Sequence, residues 1–175
     1  LLWDGPEGTF VDWMRAQDVT VIPCRTPLYD AIRTGEARPG FIPHTADGAF
    51  LRLEVCRFAG DDPFVLYTDC DVLFLSEPDL GGSRPSIFAS APEFAPDDWS
   101  MVNTGVMMMN VQRFRDDYDD LHAFVQEHRV KNFDAYDQGA LDIFYQDKWE
   151  RLPRVPSGRF ILVTMRTCQS HTFMA

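Results

Sequence analysis

The sequence is short of the features that mark membrane proteins, disulfide-rich domains and glycine-loop nucleotide binders. No apolar run approaches the length that a bilayer crossing needs, so no membrane span is predicted. No Gly-x-Gly-x-x-Gly or Walker-type loop is present, and phosphate binding by such a loop is not expected. The cysteines form no Cys-x-x-Cys pair; they are Cys24, Cys56, Cys70 and Cys168. Their spacing indicates neither a zinc knuckle nor a disulfide framework, and it favours a reducing, cytoplasmic compartment.

Positive charge is also scarce. Lys and Arg number 16 against 27 Asp and Glu, which gives a net charge of −11 at pH 7. This balance opposes binding to DNA or to an anionic membrane surface, so we expect neither nucleic acid nor a membrane as a partner. An anionic substrate would need a metal ion or local arginines to hold it. With 175 residues, 45% of them hydrophobic, the chain suffices for one domain with a sizeable core.

The most informative stretch is residues 64–75, Phe-Val-Leu-Tyr-Thr-Asp-Cys-Asp-Val-Leu-Phe-Leu. Two apolar runs predict a buried strand that carries Asp69 and Asp71 to its exposed end. In an extended backbone, residues two apart lie on one face, about 6.6 Å from each other. Mg²⁺ or Mn²⁺ would offset the repulsion between two such carboxylates and keep positions open for substrate phosphates. The simpler alternative is a strand that ends in solvated aspartates.

The N-terminal part predicts a strand, a helix and a second strand. Residues 1–3 are apolar, Phe10, Val11 and Trp13 recur at helical spacing, and residues 19–22 form a β-branched run. This order favours a βαβ unit with a parallel sheet. Because residues 1–3 read like the middle of a buried strand, we expect the chain to be a fragment.

A further helix is predicted to begin near Thr45 or Asp47 and to end near Phe58. Arg52 lies within it. On spacing alone, Arg52 is a surface arginine that pairs with Asp47 or Glu54.

A polar corner precedes a second buried strand, at residues 106–109. The corner is Asn103-Thr104-Gly105, and its glycine would let a ligand or another backbone come close. Turn chemistry explains Asn103 and Thr104 equally well. Asn110, which follows the strand, is placed to cap the next helix.

A last helix is predicted after Asp134, which can cap it. Asp137 and Gln138 then stand at the helix entrance, where the dipole favours an anion. They are either capping residues or part of a site, and the local sequence does not separate these interpretations.

Three blocks in this order resemble the glycosyltransferases of the GT-A fold, most closely family 8, the glycogenin and bacterial galactosyltransferase-like enzymes. The blocks are residues 64–74, Asn-Thr-Gly-Val-Met-Met-Met-Asn at 103–110, and Asp-Gln-Gly-Ala-Leu at 137–141. The resemblance covers residues 1–160 and leaves 161–175 as a divergent tail. It implies one partial α/β domain over residues 1–175, with a Rossmann-like, mostly parallel central sheet flanked by helices and incomplete at both ends.

The resemblance also implies an activity and its residues. A sugar would pass from a nucleoside diphosphate sugar, typically a UDP-sugar, to a hydroxyl acceptor such as a saccharide, with retention of configuration. Asp69 and Asp71 resemble the ligands of Mn²⁺ or Mg²⁺, and Arg52 resembles a sugar-nucleotide contact. The same comparison makes Asn103 and Thr104 contacts of the donor and acceptor sugars. It places Asp137 and Gln138 beside the anomeric carbon.

One departure from the family leaves alternatives open. The family has a late His-x-x-Gly-x-x-Lys-Pro motif that completes the metal shell, whereas His171 of this chain lacks the Gly and Lys at those offsets. A catalytically inactive remnant that only binds sugar nucleotides is therefore a second hypothesis. A third is a haloacid-dehalogenase-like phosphatase, because hydrophobic-Asp-x-Asp-Val also fits its nucleophile strand. That scheme needs a later lysine, and Lys131 and Lys148 lie in predicted helical or loop segments.

Overall fold

The computed structural model describes residues 1–34, 36–74, 80, 82–95, 97–146 and 148–152. Six strands and seven α-helices are assigned in these residues, with two short 3₁₀ segments. Their bounds are β1 Leu2–Trp3, α1 Thr9–Ala16, β2 Ile22–Pro23, α2 Tyr29–Arg33, α3 Pro43–Phe50, a 3₁₀ turn Leu51–Glu54, α4 Val55–Phe58, β3 Phe64–Thr68, β4 Phe88–Pro92, β5 Val102–Asn110, α5 Val111–Asp116, α6 Tyr118–Glu127, a 3₁₀ turn Val130–Asn132, α7 Asp137–Tyr145 and β6 Glu150–Arg151.

The strands form two sheets. β1 and β2 make a parallel pair, with α1 between them in sequence, which confirms the predicted βαβ unit. The other sheet has the order β3-β5-β4-β6, in which β5 is antiparallel to both β3 and β4, and β6 is parallel to β4. The fold is thus α/β with mixed pairing, and the mostly parallel central sheet is not confirmed. A strand that is buried on both faces has the same apolar pattern whether its neighbours are parallel or antiparallel, so the sequence did not distinguish the two arrangements.

The helix that carries Arg52 begins earlier than predicted and is not continuous. It starts at Pro43, whose missing N–H is no loss in the first helical turn, and neither Thr45 nor Asp47 caps it. At Leu51 it tightens into the 3₁₀ turn before α4. The predicted cap Asn110 is confirmed, because its Oδ1 accepts a hydrogen bond of 3.1 Å from the Arg113 N–H.

The core lies on the sheet of β3 to β6 and under the helices. β5 is its centre, with Met107 and Met109 fully buried. Phe88 of β4 packs edge-on against Phe114 and Tyr145, which joins the sheet to α5 and α7. In the described ranges no helix is both long and apolar enough to cross a membrane.

Candidate functional site

Asp69 lies just beyond the end of β3, where the chain turns. The strand ends at Thr68, and the Val72 N–H donates to the Asp69 carbonyl oxygen at 3.3 Å. The extended geometry expected to carry Asp69 and Asp71 to one face therefore does not continue to Asp71. Asp71 is exposed, whereas the Asp69 side chain keeps 35% of its surface accessible.

Arg52 joins two parts of the predicted site. Its Nη2 lies 3.0 Å from Asp69 Oδ1, and its Nε lies 2.9 Å from Asp137 Oδ2. The side chain is only 6% exposed. The interpretation of Arg52 as a surface arginine paired with Asp47 or Glu54 was wrong, because the 3₁₀ turn directs it inward between these two aspartates.

Tyr67 completes the surroundings of Asp69. Its hydroxyl donates to Asp69 Oδ1 at 2.7 Å, and the Arg52 guanidinium lies 4.8 Å from the centre of its ring. Sequence reasoning missed Tyr67. The signal was available, because residues two apart on a strand share a face and Tyr67 is two positions before Asp69.

Thr104 connects the Asn-Thr-Gly corner to the start of α7. Its hydroxyl donates to Asp137 Oδ2 at 3.2 Å, and its N–H donates to Gln138 Oε1 at 3.1 Å. The Thr104 carbonyl oxygen accepts a short hydrogen bond from Arg52 Nη1. Asp137 and Gln138 are 2% and 8% exposed, so both are held inside the protein. Asp134 does not cap this helix, which begins at Asp137 without a side-chain cap.

Gly105 lets the corner approach Asp69. Its carbonyl oxygen accepts from the Asp69 N–H at 2.8 Å. A Cβ atom at this position would lie 3.1 Å from Asp69 Oδ2 and 3.0 Å from Asn103 Oδ1. Asn103 is fixed as well, because its amide donates to Glu93 Oε2 at 2.7 Å. The first two blocks of the sequence are therefore in direct contact.

Burial and charge shift the pKa values of the groups around Arg52. Burial opposes the charge of Arg52, but Asp137, Tyr67 and Asp69 outweigh it and raise the pKa of the guanidinium above its usual range. Burial raises the pKa of Asp137 to about 6, although Arg52 acts to lower it. Asp137 is thus ionised at neutral pH and becomes neutral in mild acid.

The two aspartates of the Asp-x-Asp motif each have carboxylate oxygens without a hydrogen-bond donor among the described residues. Asp69 Oδ1 accepts hydrogen bonds from Tyr67 and Arg52, whereas no hydrogen bond between described residues uses Asp69 Oδ2 or the exposed carboxylate of Asp71. Mg²⁺ is commonly held by one or two carboxylates together with substrate phosphates. Within the described residues no cluster of three or more His, Cys, Asp or Glu side chains forms a closed metal site. His171 lies outside them.

A cavity of about 920 Å³ opens beside Asp69. It lies between β1 and β3, and Arg52 and Asp69 are part of its wall. The other predicted site residues that the structure describes do not line it; they are Asp71, Asn103, Thr104, Asp137 and Gln138. Asp69, Asp137 and Gln138 therefore connect through Arg52 and Thr104 rather than through one open cleft.

Two solved structures with some likeness to this chain are those of a glycosyltransferase, GlyE of Streptococcus pneumoniae TIGR4. One has 22% sequence identity and a TM-score of 0.49, with 59% of this chain and 27% of that chain covered. The apo form has 22% identity and a TM-score of 0.48, with 67% and 29% covered. The matched region thus spans less than a third of the GlyE chain. No protein-family model and no curated protein matches the sequence.

Proposed function

We propose that this chain belongs to a metal-dependent glycosyltransferase that transfers a sugar from a nucleoside diphosphate sugar to a hydroxyl acceptor. The observation that carries the proposal is the convergence of three separated sequence blocks. Asp69, Thr104 and Asp137 come from the Asp-x-Asp, Asn-Thr-Gly and Asp-Gln blocks, and all three contact Arg52. The blocks resemble the ordered motifs of one enzyme family, and their contact in space is what a shared site requires.

The reaction needs positive charge beside the departing diphosphate, and an acidic chain can provide it through a bound cation. The departing diphosphate gathers negative charge as the glycosidic bond breaks, and catalysis depends on stabilising that charge. Mn²⁺ or Mg²⁺ would be held by Asp69 and Asp71 and, when bound, supplies Lewis-acid stabilisation of the diphosphate. The net charge of −11 means that the protein as a whole repels the donor, so a bound cation or local arginines must offset this repulsion.

The chain's own residues then have distinct roles. Arg52 and Tyr67 fix the position of the Asp69 carboxylate by binding Oδ1, which leaves Oδ2 free to serve as a ligand. Thr104 orients Asp137 and Gln138 at the start of α7. In the proposed enzyme Asp137 and Gln138 lie beside the anomeric carbon, Asn103 and Thr104 contact the sugars, and the reaction retains configuration. A UDP-sugar as donor and a saccharide as acceptor complete the proposal.

The metal role can be tested by calorimetry. Asp69→Ala combined with Asp71→Ala should abolish the Mn²⁺-dependent binding of UDP-sugars, because both carboxylate ligands are gone. The matched control is Asp61→Ala with Asp62→Ala, which removes two exposed aspartates from the turn before β3. Equal donor affinity in both double variants would remove Asp69 and Asp71 from the proposed site.

A second candidate function is donor binding without transfer. The burial of Asp137 and Gln138 favours it, because groups that are 2% and 8% exposed have little room to contact a sugar. Sugar-nucleotide turnover separates the candidates: Mn²⁺-dependent release of UDP supports the transferase, and saturable binding without release supports the binding module.

No contact in the described residues favours the phosphatase hypothesis. Lys131 is buried in a 3₁₀ turn, where its ammonium donates to the Thr34 carbonyl oxygen at 2.7 Å.

A further inference from the structure

The pairing of β4 with β5 is interrupted at the Asn-Thr-Gly corner. It is regular as far as Ser90, which lies opposite Met107. It then resumes with Ala91 opposite Asn103, so one step along β4 corresponds to four steps along β5. Residues 104–106 are therefore an insertion in β5, a β-bulge of the kind that often lies next to active sites.

The backbone of the bulge contacts the residues of the proposed site. The Thr104 N–H donates to Gln138 Oε1 at 3.1 Å, and the Thr104 carbonyl oxygen accepts from Arg52. The Gly105 carbonyl oxygen accepts from the Asp69 N–H at 2.8 Å. The bulge is thus the feature of the sheet that brings the Asn-Thr-Gly corner to the other two sequence blocks.

The side chain of Ser90 closes the bulge on the side of β4. Its hydroxyl donates a short hydrogen bond to the Asn103 carbonyl oxygen and lies 3.1 Å from the Val106 carbonyl oxygen. Asn103 directly precedes the bulge, and Val106 is its last residue. One hydroxyl group therefore holds the two ends of the bulge together.

Ser90 is itself fixed by the sheet. On the side of β4 away from β5, the Leu152 N–H donates to the Ser90 carbonyl oxygen at 2.8 Å. Ser90 also lies opposite Arg151 in the parallel pairing of β4 with β6. The hydroxyl is thus carried by a strand with a neighbour on each side, which limits its movement.

A serine at this position needs an explanation, because the rest of the strand is apolar. β4 has the sequence Phe-Ala-Ser-Ala-Pro, and Ser90 is 0% exposed. A buried hydroxyl is costly unless it forms hydrogen bonds. The two carbonyl oxygens of the bulge supply its acceptors, and without the hydroxyl they would lose their donor from β4.

We infer that Ser90 is a positioning residue of the proposed transferase site. Its hydroxyl holds the bulge in the form that presents Thr104 to Asp137 and Gln138, so it acts through Thr104 and does not touch the substrate. The effect on catalysis rests on the proposed function. The effect on the bulge does not, because the backbone contacts alone define it.

The first test is amide hydrogen exchange, followed by NMR in the wild type and two variants. Ser90→Ala removes the hydroxyl from the bulge. Ser86→Ala is the matched control, because it removes an exposed serine hydroxyl, just ahead of β4, that donates to Glu150 Oε1 at 2.9 Å. Both variants lose one oxygen atom, and only the first loses it from the bulge.

The expected result is faster exchange confined to the bulge. The Thr104 and Gly105 amides should exchange about tenfold faster in Ser90→Ala than in the wild type, with Met107 and Met109 changing little. Ser86→Ala should leave all four amides as they are. Unchanged exchange of Thr104 and Gly105 in Ser90→Ala would overturn the inference, and so would equal acceleration at all four amides, which indicates a general loss of stability.

The second test separates positioning from a purely structural role. In Mn²⁺-dependent release of UDP, Ser90→Ala should lower kcat by about tenfold and leave the KM for the donor within about twofold, because the groups that it displaces face the reacting sugar. Ser90→Thr keeps a hydroxyl and should recover most of kcat. A kcat in Ser90→Ala equal to that of the wild type would overturn the inference. Absence of release from the wild type would contradict the proposed function instead, and the exchange experiment would then decide the role of Ser90 in the bulge.

Discussion

Two buried carboxylates, Glu54 and Asp137, each lie beside an arginine and yet have opposite pKa shifts. Burial raises the pKa of Glu54, but hydrogen bonds from His122, Arg57 and Tyr118 outweigh it and hold the pKa below its ordinary value. Burial raises the pKa of Asp137 to about 6, and Arg52 only partly offsets it. An arginine neighbour alone therefore does not decide the ionisation of a buried acid.

The number of hydrogen bonds to each carboxylate explains the difference. Glu54 accepts from Arg57 Nη1 and from the Tyr118 hydroxyl, both at 2.7 Å, and its Oε1 lies 3.0 Å from His122 Nε2. Asp137 has the guanidinium of Arg52, which it shares with Asp69, and the hydroxyl of Thr104. Glu54 is thus held between the 3₁₀ turn and α6 by three partners, whereas Asp137 shares its one arginine with a second carboxylate.

The largest expected effect comes from the two arginines. Arg52→Met removes the guanidinium that Asp69 and Asp137 share and leaves a buried carboxylate without its counter-ion, so we expect a loss of about 3–5 kcal/mol in the free energy of unfolding. Arg57→Met is the matched control. Arg57 is 49% exposed, and Glu54 keeps two other partners, so its loss should cost about 0.5 kcal/mol. Urea denaturation measures the free energy of unfolding of both variants, and equal losses would contradict the difference expected between the two arginines.

Changes to a single charge or hydroxyl should have smaller effects, and here the larger loss is expected at Glu54. Glu54→Gln removes the negative charge to which three side chains bond, and we expect it to lower the free energy of unfolding by about 2 kcal/mol. Thr104→Val removes one neutral hydroxyl from Asp137 and should cost about 1 kcal/mol. Both are measured by thermal and urea unfolding. A larger cost for Thr104→Val than for Glu54→Gln would show that Asp137 is the better-satisfied acid.

The pH dependence of stability should have opposite signs at the two acids. The pKa of Glu54 is lowered from 4.5, so its stabilisation is present above that pH and is lost as the pH falls through the folded-state pKa. The pKa of Asp137 rises from 3.8 to about 6, so between these values only the unfolded state has released the proton, and stability falls as the pH rises.

Unfolding free energies from pH 3 to 8 would check these signs. The difference between wild type and Glu54→Gln should shrink as the pH falls below about 4.5. The free energy of unfolding of the wild type minus that of Asp137→Asn should decline from about pH 4 to about pH 6 and then level off. Slopes of the same sign would refute the comparison.

An effect about as small as that of Thr104→Val is expected at Gly105. In Gly105→Ala the new methyl group meets Asp69 Oδ2 at 3.1 Å and Asn103 Oδ1 at 3.0 Å, and hydrogen bonds hold both side chains. We expect a loss of about 1 kcal/mol. Gly48→Ala is the control, because that helical position has nothing within 4 Å and should gain about 0.5–1 kcal/mol. Urea unfolding of both variants distinguishes a local clash from a general intolerance to alanine.

Local patterns predicted the elements that depend on local chemistry. A continuous apolar run identified β3, helical apolar spacing identified α1, and the side chain of Asn110 identified the start of α5. Family resemblance grouped Asp69, Thr104 and Asp137, which the structure connects through Arg52.

The parts that failed depend on tertiary geometry. The direction of Arg52 follows from a 3₁₀ turn that shifts the helical phase, and the turn after Thr68 ends the alternation assumed for Asp71. Neither leaves a local sequence signal. The mixed sheet was missed for the same reason, because the relative direction of neighbouring strands depends on segments that are distant from each other in the sequence.

Release of UDP is the measurement that tests the central claim most directly. The purified protein is incubated with UDP-sugars, a saccharide acceptor and Mn²⁺, and free UDP is quantified with and without chelator. The account predicts release that requires Mn²⁺, is lost in Asp69→Ala/Asp71→Ala and persists in Arg57→Met. Release that is unchanged by the double substitution, or no release from any donor that the protein binds, would contradict it.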